Sequence, residues 1–80
     1  MRVEVQLFAS LKENLGERIW LDVPEPVTVG SLLKRFGEAH PRFQSALPHL
    51  NVAVNLTYSP LDQPIGPGAE VAIFPPVSGG

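Results

Sequence analysis

Eighty residues are enough for one domain with a small core. A hydrophobic content of 44% with 18% charged residues excludes a disordered acidic segment, and six Lys and Arg against eight acids, with no basic run, argue against a nucleic-acid binder. The chain has no cysteine, which excludes a disulfide framework, a thiolate zinc site and a cysteine nucleophile together.

The first stretch, RVEVQLFA, alternates. Val3, Val5 and Leu7 fall on one face, with Arg2, Glu4, Gln6 and Phe8 on the other, which predicts a strand. SLKENLG predicts one or two helical turns, with Ser10 as cap, Glu13 completing a capping box and Gly16 as the stop. RIWLDV alternates again, Ile19, Leu21 and Val23 opposite Trp20 and Asp22, until Pro24 and Pro26 end the strand.

TVGSLLKRFGEAHP has helical spacing at Val29, Leu32, Leu33 and Phe36. Thr28 is its predicted cap, Pro41 its limit, and Gly37 a point where the last turn loosens or the helix stops early. RFQSALPHL reads as a connector that holds a short turn of helix. NVAVNL predicts a third strand with Val52, Val54 and Leu56 inward. TYSPLDQPIGPG is turn-rich, with room for a short strand around Thr57–Ser59, and AEVAIF predicts the last strand, Val71 and Ile73 inward, Ala72 and Phe74 outward.

One amphipathic helix cannot cover both faces of a sheet. The expected fold class is therefore α+β, a mixed sheet with one main helix packed on one face, in the β-grasp (ubiquitin-like) arrangement. A helix between strands also permits one parallel pair. The expected organisation is a β-grasp domain over residues 1–74 and a flexible Gly-Gly tail over residues 75–80. The opening residues carry Glu4 inside the first apolar stretch and do not read as a signal peptide, and no apolar run approaches the ~20 residues of a membrane span, so a cytoplasmic protein without a membrane partner is expected.

Side-chain chemistry is sparse. His40 and His49 have no ligand-spaced partner, so no metal site is expected. The eight carboxylates are scattered, and the serines lack both a nucleophile elbow and a neighbouring base. Gly66 and Gly68 flank Pro67 without the following helix and lysine of a phosphate loop. Trp20, Phe8 and Phe74 lie opposite the inward residues. They read either as cover for the second face or as an exposed apolar patch for a partner.

The run FPPVSGG draws attention for its chemistry. Pro75 and Pro76 have no N–H to extend a ladder, and each pushes the residue before it into an extended conformation. A short polyproline-type pointer results, rising ~3.1 Å per residue. Val77 adds one apolar knob, Ser78 is small, and Gly79 and Gly80 have no side chain to obstruct a narrow tunnel or an attack on a terminal carboxylate.

These residues carry a resemblance. Ala53-Val54-Asn55, then Asp62, Pro64 and Ile65, then Gly68, Glu70, Val71 and Ala72, and finally Phe74 through Gly80 resemble the small subunits of molybdopterin synthase, the MoaD-like sulfur carriers of the MoaD/ThiS family. The opening VQLFASLKENLG is similar as well, so the likeness spans the chain. Ala69 departs from the family, which usually has Asp in that turn.

The resemblance implies the β-grasp fold and a carrier that is no enzyme by itself. Gly80 would be adenylated by a ubiquitin-activating-like adenylyltransferase, which uses ATP, and then converted to a thiocarboxylate. The sulfur would pass to cyclic pyranopterin monophosphate in the large, catalytic subunit, building the dithiolene of molybdopterin. Gly79, Ser78, Val77, Pro76 and Pro75 would position the tail, and Phe74 and Phe8 would meet partners. No bound cofactor is expected. The alternatives are a sulfur carrier for thiamine or tRNA thiolation, a ubiquitin-like protein modifier, and a β-grasp binding module without covalent chemistry.

Overall fold

The computed structural model describes residues 1–76. The chain forms strand β1 (Arg2–Leu7), helix α1 (Ala9–Leu15), strand β2 (Arg18–Asp22), helix α2 (Val29–Ala39), a 3-10 helix (Pro41–His49) and strands β3 (Asn51–Val54), β4 (Thr57–Tyr58) and β5 (Val71–Phe74). The strands make one sheet in the order β2-β1-β5-β3-β4. β1 and β5 run parallel at its centre, with Val5 opposite Val71 and Leu7 opposite Ile73. The other pairs, β1 with β2, β3 with β5 and β3 with β4, are antiparallel.

Alternation along the central strands decides which face is wet. Val3, Val5 and Leu7 of β1 and Val71 and Ile73 of β5 are buried, while Arg2, Glu4 and Gln6 are exposed. The buried face meets α2 through Val29, Leu32, Leu33 and Phe36, and Leu32 and Phe36 are fully enclosed. Each such side chain contributes about 1.5–3 kcal/mol of transfer free energy. Among the described residues no polar or charged residue is buried, so the side-chain contacts of the core are apolar. A mixed sheet curled round one long helix is the β-grasp fold predicted from the sequence.

The caps of α2 explain its sharp start. The Ser31 amide donates to Thr28 Oγ1 at 3.1 Å, and the Thr28 amide donates to Ser31 Oγ at 2.9 Å, a reciprocal box that satisfies two otherwise orphaned donors. The helix does not loosen at Gly37. Gly37 is buried, and a Cβ there would lie 2.6 Å from Leu47 Cδ1 and 2.9 Å from Gln44 Nε2. The glycine lets the 3-10 helix lie close against α2, and the helix ends only at Ala39, ahead of Pro41.

Three local expectations fail. Ser10 is not the cap of α1: the helix begins at Ala9, Phe8 takes the cap position and no side chain caps it. Ser10 instead accepts from Asn14 Nδ2 through its backbone carbonyl at 2.7 Å. The connector after Pro41 is a continuous 3-10 helix of 9 residues rather than a single short turn. Leu56 is not inward but 89% exposed, because β3 stops at Val54 and the chain reverses in two residues. β5 ends at Phe74, Pro75 is half-buried and Pro76 exposed.

Candidate functional site

The sheet face turned away from the helices becomes aromatic at one end. β1 and β5 run in the same direction, so both deliver their last residues to one place. Phe8, just beyond β1, stacks on Phe74, the end of β5, with ring centroids 4.5 Å apart and planes 15° apart. Tyr58 of β4 meets Phe74 edge-on at 5.7 Å and 75°. Both arrangements are the ones that ring quadrupoles favour. Phe8 and Phe74 are half-buried, whereas Tyr58 is 69% exposed.

Small residues leave the floor of this cluster open. Ala53 lies opposite both Ala72 on β5 and Tyr58 on β4. A shallow cleft of about 270 Å³ lies over them, lined by Phe8, Ala53, Leu56, Tyr58, Ala72 and Phe74 together with the polar Gln6 and Glu70. A mostly apolar recess with aromatic walls and a single carboxylate, Glu70, among its lining residues suits protein docking better than polar chemistry.

The hairpin above the cleft is pinned. The Asn55 amide donates to the Glu70 carbonyl at 2.7 Å, and the Glu70 amide donates to Asn55 Oδ1 at 3.0 Å. Asn55 thereby ties the β3–β4 turn to the residue that enters β5. This pair of bonds gives the Asn of the Ala-Val-Asn segment its structural task.

Of the residues predicted for the site, the structure brings Phe8 and Phe74 into direct contact, with Pro75 and Pro76 leaving immediately beyond them. Val77, Ser78, Gly79 and Gly80 lie outside the described residues. Trp20 does not join the cluster. It sits on β2 at the other edge of the sheet, 54% exposed, with the Arg2 guanidinium 4.7 Å from its ring centroid. Tyr58, Leu56 and the alanine floor were not foreseen. Tyr58 was legible as the outward residue of the short predicted strand, but its approach to Phe74 depends on sheet order.

The histidines are apart. His40 ends α2 with its ring tilted against Phe36 at 5.3 Å, and His49 is exposed at the end of the 3-10 helix. Among the described residues no three His, Asp or Glu side chains converge as metal ligands. Among them, too, no helix is long and apolar enough to cross a membrane.

A five-stranded mixed sheet, one dominant helix and an aromatic cluster at the end of the last strand define a protein of the ubiquitin-like class. The model of the ThiS family matches residues 5–80, and the chain belongs to that family. The small archaeal modifier protein 1 of Haloferax volcanii is 38% identical over 87 residues, covering 98% of this chain and 100% of the relative. A crystal structure of SAMP1 from that organism matches at a TM-score of 0.82 and 36% identity, with 100% of both chains covered. The molybdopterin synthase sulfur carrier subunit of Dictyostelium discoideum is 37% identical over 81 residues, covering 96% of this chain and 94% of the relative. A protein–protein complex of subunits 1 and 2 of the molybdopterin-converting factor from Helicobacter pylori contains a chain similar at a TM-score of 0.65 and 25% identity, again with 100% of both chains covered.

Proposed function

We propose that this chain is the sulfur-carrying small subunit of molybdopterin synthase, working in the cytoplasm through a thiocarboxylate on Gly80. The observation that carries the reading is that β5 runs out at Phe74 inside a half-exposed aromatic cluster and hands over directly to Pro-Pro-Val-Ser-Gly-Gly in the sequence. Sequence likeness to a named sulfur carrier subunit over nearly the whole chain supports it.

The chemistry follows from what a carboxylate lacks. It is a poor electrophile, because its leaving group would be oxide. A ubiquitin-activating-like adenylyltransferase joins the Gly80 carboxylate to AMP and releases pyrophosphate from ATP. Sulfide then attacks the acyl carbon, the carbon–oxygen bond to AMP breaks, and AMP leaves a thiocarboxylate on Gly80. The thiocarboxylate enters the large subunit, where its sulfur is transferred to cyclic pyranopterin monophosphate and water restores the carboxylate. The chain supplies delivery and the large subunit supplies catalysis.

Each part of the tail has a task in that sequence. Gly79 and Gly80 admit the backbone to a narrow channel. Pro75 and Pro76 keep the lead extended, and Val77 and Ser78 fill the channel mouth. Phe8 and Phe74 dock the domain, so the reacting atom arrives at a fixed distance from an anchored base. The Helicobacter pylori pair supports a partner subunit of this kind.

A modifier role is the second reading, favoured by the likeness to small archaeal modifier protein 1. It uses the same adenylate but ends with an amide to a lysine. Incubation with the activating enzyme, ATP and a sulfide source, followed by intact mass, separates the two. A mass gain equal to one oxygen-to-sulfur exchange is expected, and it disappears when one residue is added after Gly80 while the melting temperature stays unchanged. Loading of the extended chain at the normal rate overturns the assignment of Gly80, and a ladder of larger conjugates favours the modifier.

A further inference from the structure

The geometry points to Leu56 as a partner-anchoring residue, held in an unfavourable turn so that its side chain projects into the large subunit. Val54 pairs with Thr57, so Asn55 and Leu56 alone reverse the chain between β3 and β4. Their φ angles are +51° and +68°, both positive, as the primed hairpin turns require. Asn tolerates that region and Gly prefers it. A bulky residue there is an outlier, because its Cβ crowds the backbone.

Strain of this kind persists when something offsets it. Burial does not: Leu56 is 89% exposed, the most exposed of the large apolar residues of the described chain. Nor is the turn free to relax, because Asn55 is clamped to Glu70 by two hydrogen bonds of 2.7 and 3.0 Å. The result is a firmly presented aliphatic side chain that is 89% exposed among the described residues. It lines the same cleft as Phe8, Tyr58 and Phe74 and extends that apolar surface outward from the sheet.

The inference rests on the molybdopterin synthase reading, since continuity with the Phe8–Phe74 docking cluster names the occupant. The large subunit must offer an apolar pocket for Leu56, with a hydrogen-bond donor or cation at the rim opposite Glu70. Preorganisation is the gain: a side chain already fixed in its bound position loses little freedom on docking.

The test pairs stability with affinity for the purified large subunit. Leu56→Gly completes the Asn-Gly pair that such turns favour, so its melting temperature should rise by about 4 °C or more, while its Kd weakens by about tenfold or more. Leu56→Ala keeps the strained φ and removes the side chain. It should weaken Kd equally without the rise in melting temperature. If wild-type chain binds the large subunit and Leu56→Gly binds it equally well, the anchoring role is wrong while the functional reading stands. A Leu56→Gly chain that melts no higher than wild type refutes the strained turn. Absence of wild-type binding removes both the functional reading and this inference.

Discussion

Truncating Phe74 tests whether the aromatic cluster is an energetic unit as well as a docking surface. The ring stacks on Phe8 at 4.5 Å and receives the edge of Tyr58 at 5.7 Å. Each such pair is worth about 0.5–1.5 kcal/mol beyond area burial, and the half-buried ring adds about 1 kcal/mol of transfer free energy, so Phe74→Ala should cost about 2–4 kcal/mol. A domain of this size has a total stability of about 4–12 kcal/mol, so the variant is read at a temperature well below the wild-type transition. Each kcal/mol lowers the melting temperature by about 4–8 °C.

The cycle Phe8→Ala, Phe74→Ala and the double variant isolates the stack. Thermal or denaturant unfolding should give a coupling of about 0.5–1.5 kcal/mol between the two positions. Calorimetric titration with the large subunit should show Kd raised by about thirtyfold or more for Phe74→Ala, as for a central interface anchor. A coupling of zero says that the stacked geometry carries no energy of its own. A lowered melting temperature with an unchanged Kd says that the ring serves the fold alone and that docking occurs elsewhere.

Thr28→Ala removes one half of the reciprocal cap on α2 and should cost about 1 kcal/mol, read as a fall of about 4–8 °C in melting temperature, with Thr28→Ser recovering most of it. Sulfur loading of that variant should proceed normally once the protein is below its transition. Trp20→Ala should leave Kd for the large subunit unchanged, because Trp20 lies on the edge strand β2, with β1 between it and the β5 strand that carries Phe74. It should also lower the melting temperature by no more than about 8 °C, since an exposed cation–π contact is worth only about 0.5–1 kcal/mol. Weakened binding in the Trp20 variant means the docking face reaches across to β2.

Most of the framework was legible because it depends on short-range periodicity. Val3, Val5 and Leu7 declare a half-buried strand, and Val29, Leu32, Leu33 and Phe36 declare a helix face, before any tertiary information is added. The failures lie where a distant residue decides. Ser10 has the right chemistry for a cap, but the chain is still extended at Phe8, which Phe74 stacks on, and it enters the helix one residue too early for Ser10. Leu56 continues the alternation of Val52 and Val54, yet the two-residue turn reverses the chain before the pattern can apply. Gly37 looked like a weak point in a helix, and only the neighbouring 3-10 helix shows it as a close-approach site. The candidate site was half legible for the same reason. Phe8 and Phe74 are outward by alternation, but their meeting requires β1 and β5 to be parallel neighbours, and Tyr58 joins them only through β3.

The placement of β5 between β1 and β3 has a consequence for how the molecule resists being handled. A terminal strand at a sheet edge peels away one hydrogen bond at a time. Here a pull on the end of the chain loads two ladders in shear together, so the amides of Val71 to Phe74 should exchange with deuterium only on global opening. A force applied just beyond Phe74 therefore meets the centre of the sheet rather than an edge. The same strand also stitches the β1–β2 ribbon to the β3–β4 ribbon, so a ribosome must deliver residues 71–74 before either half gains its neighbour. Both ribbons of the sheet thus find their common neighbour in a single event.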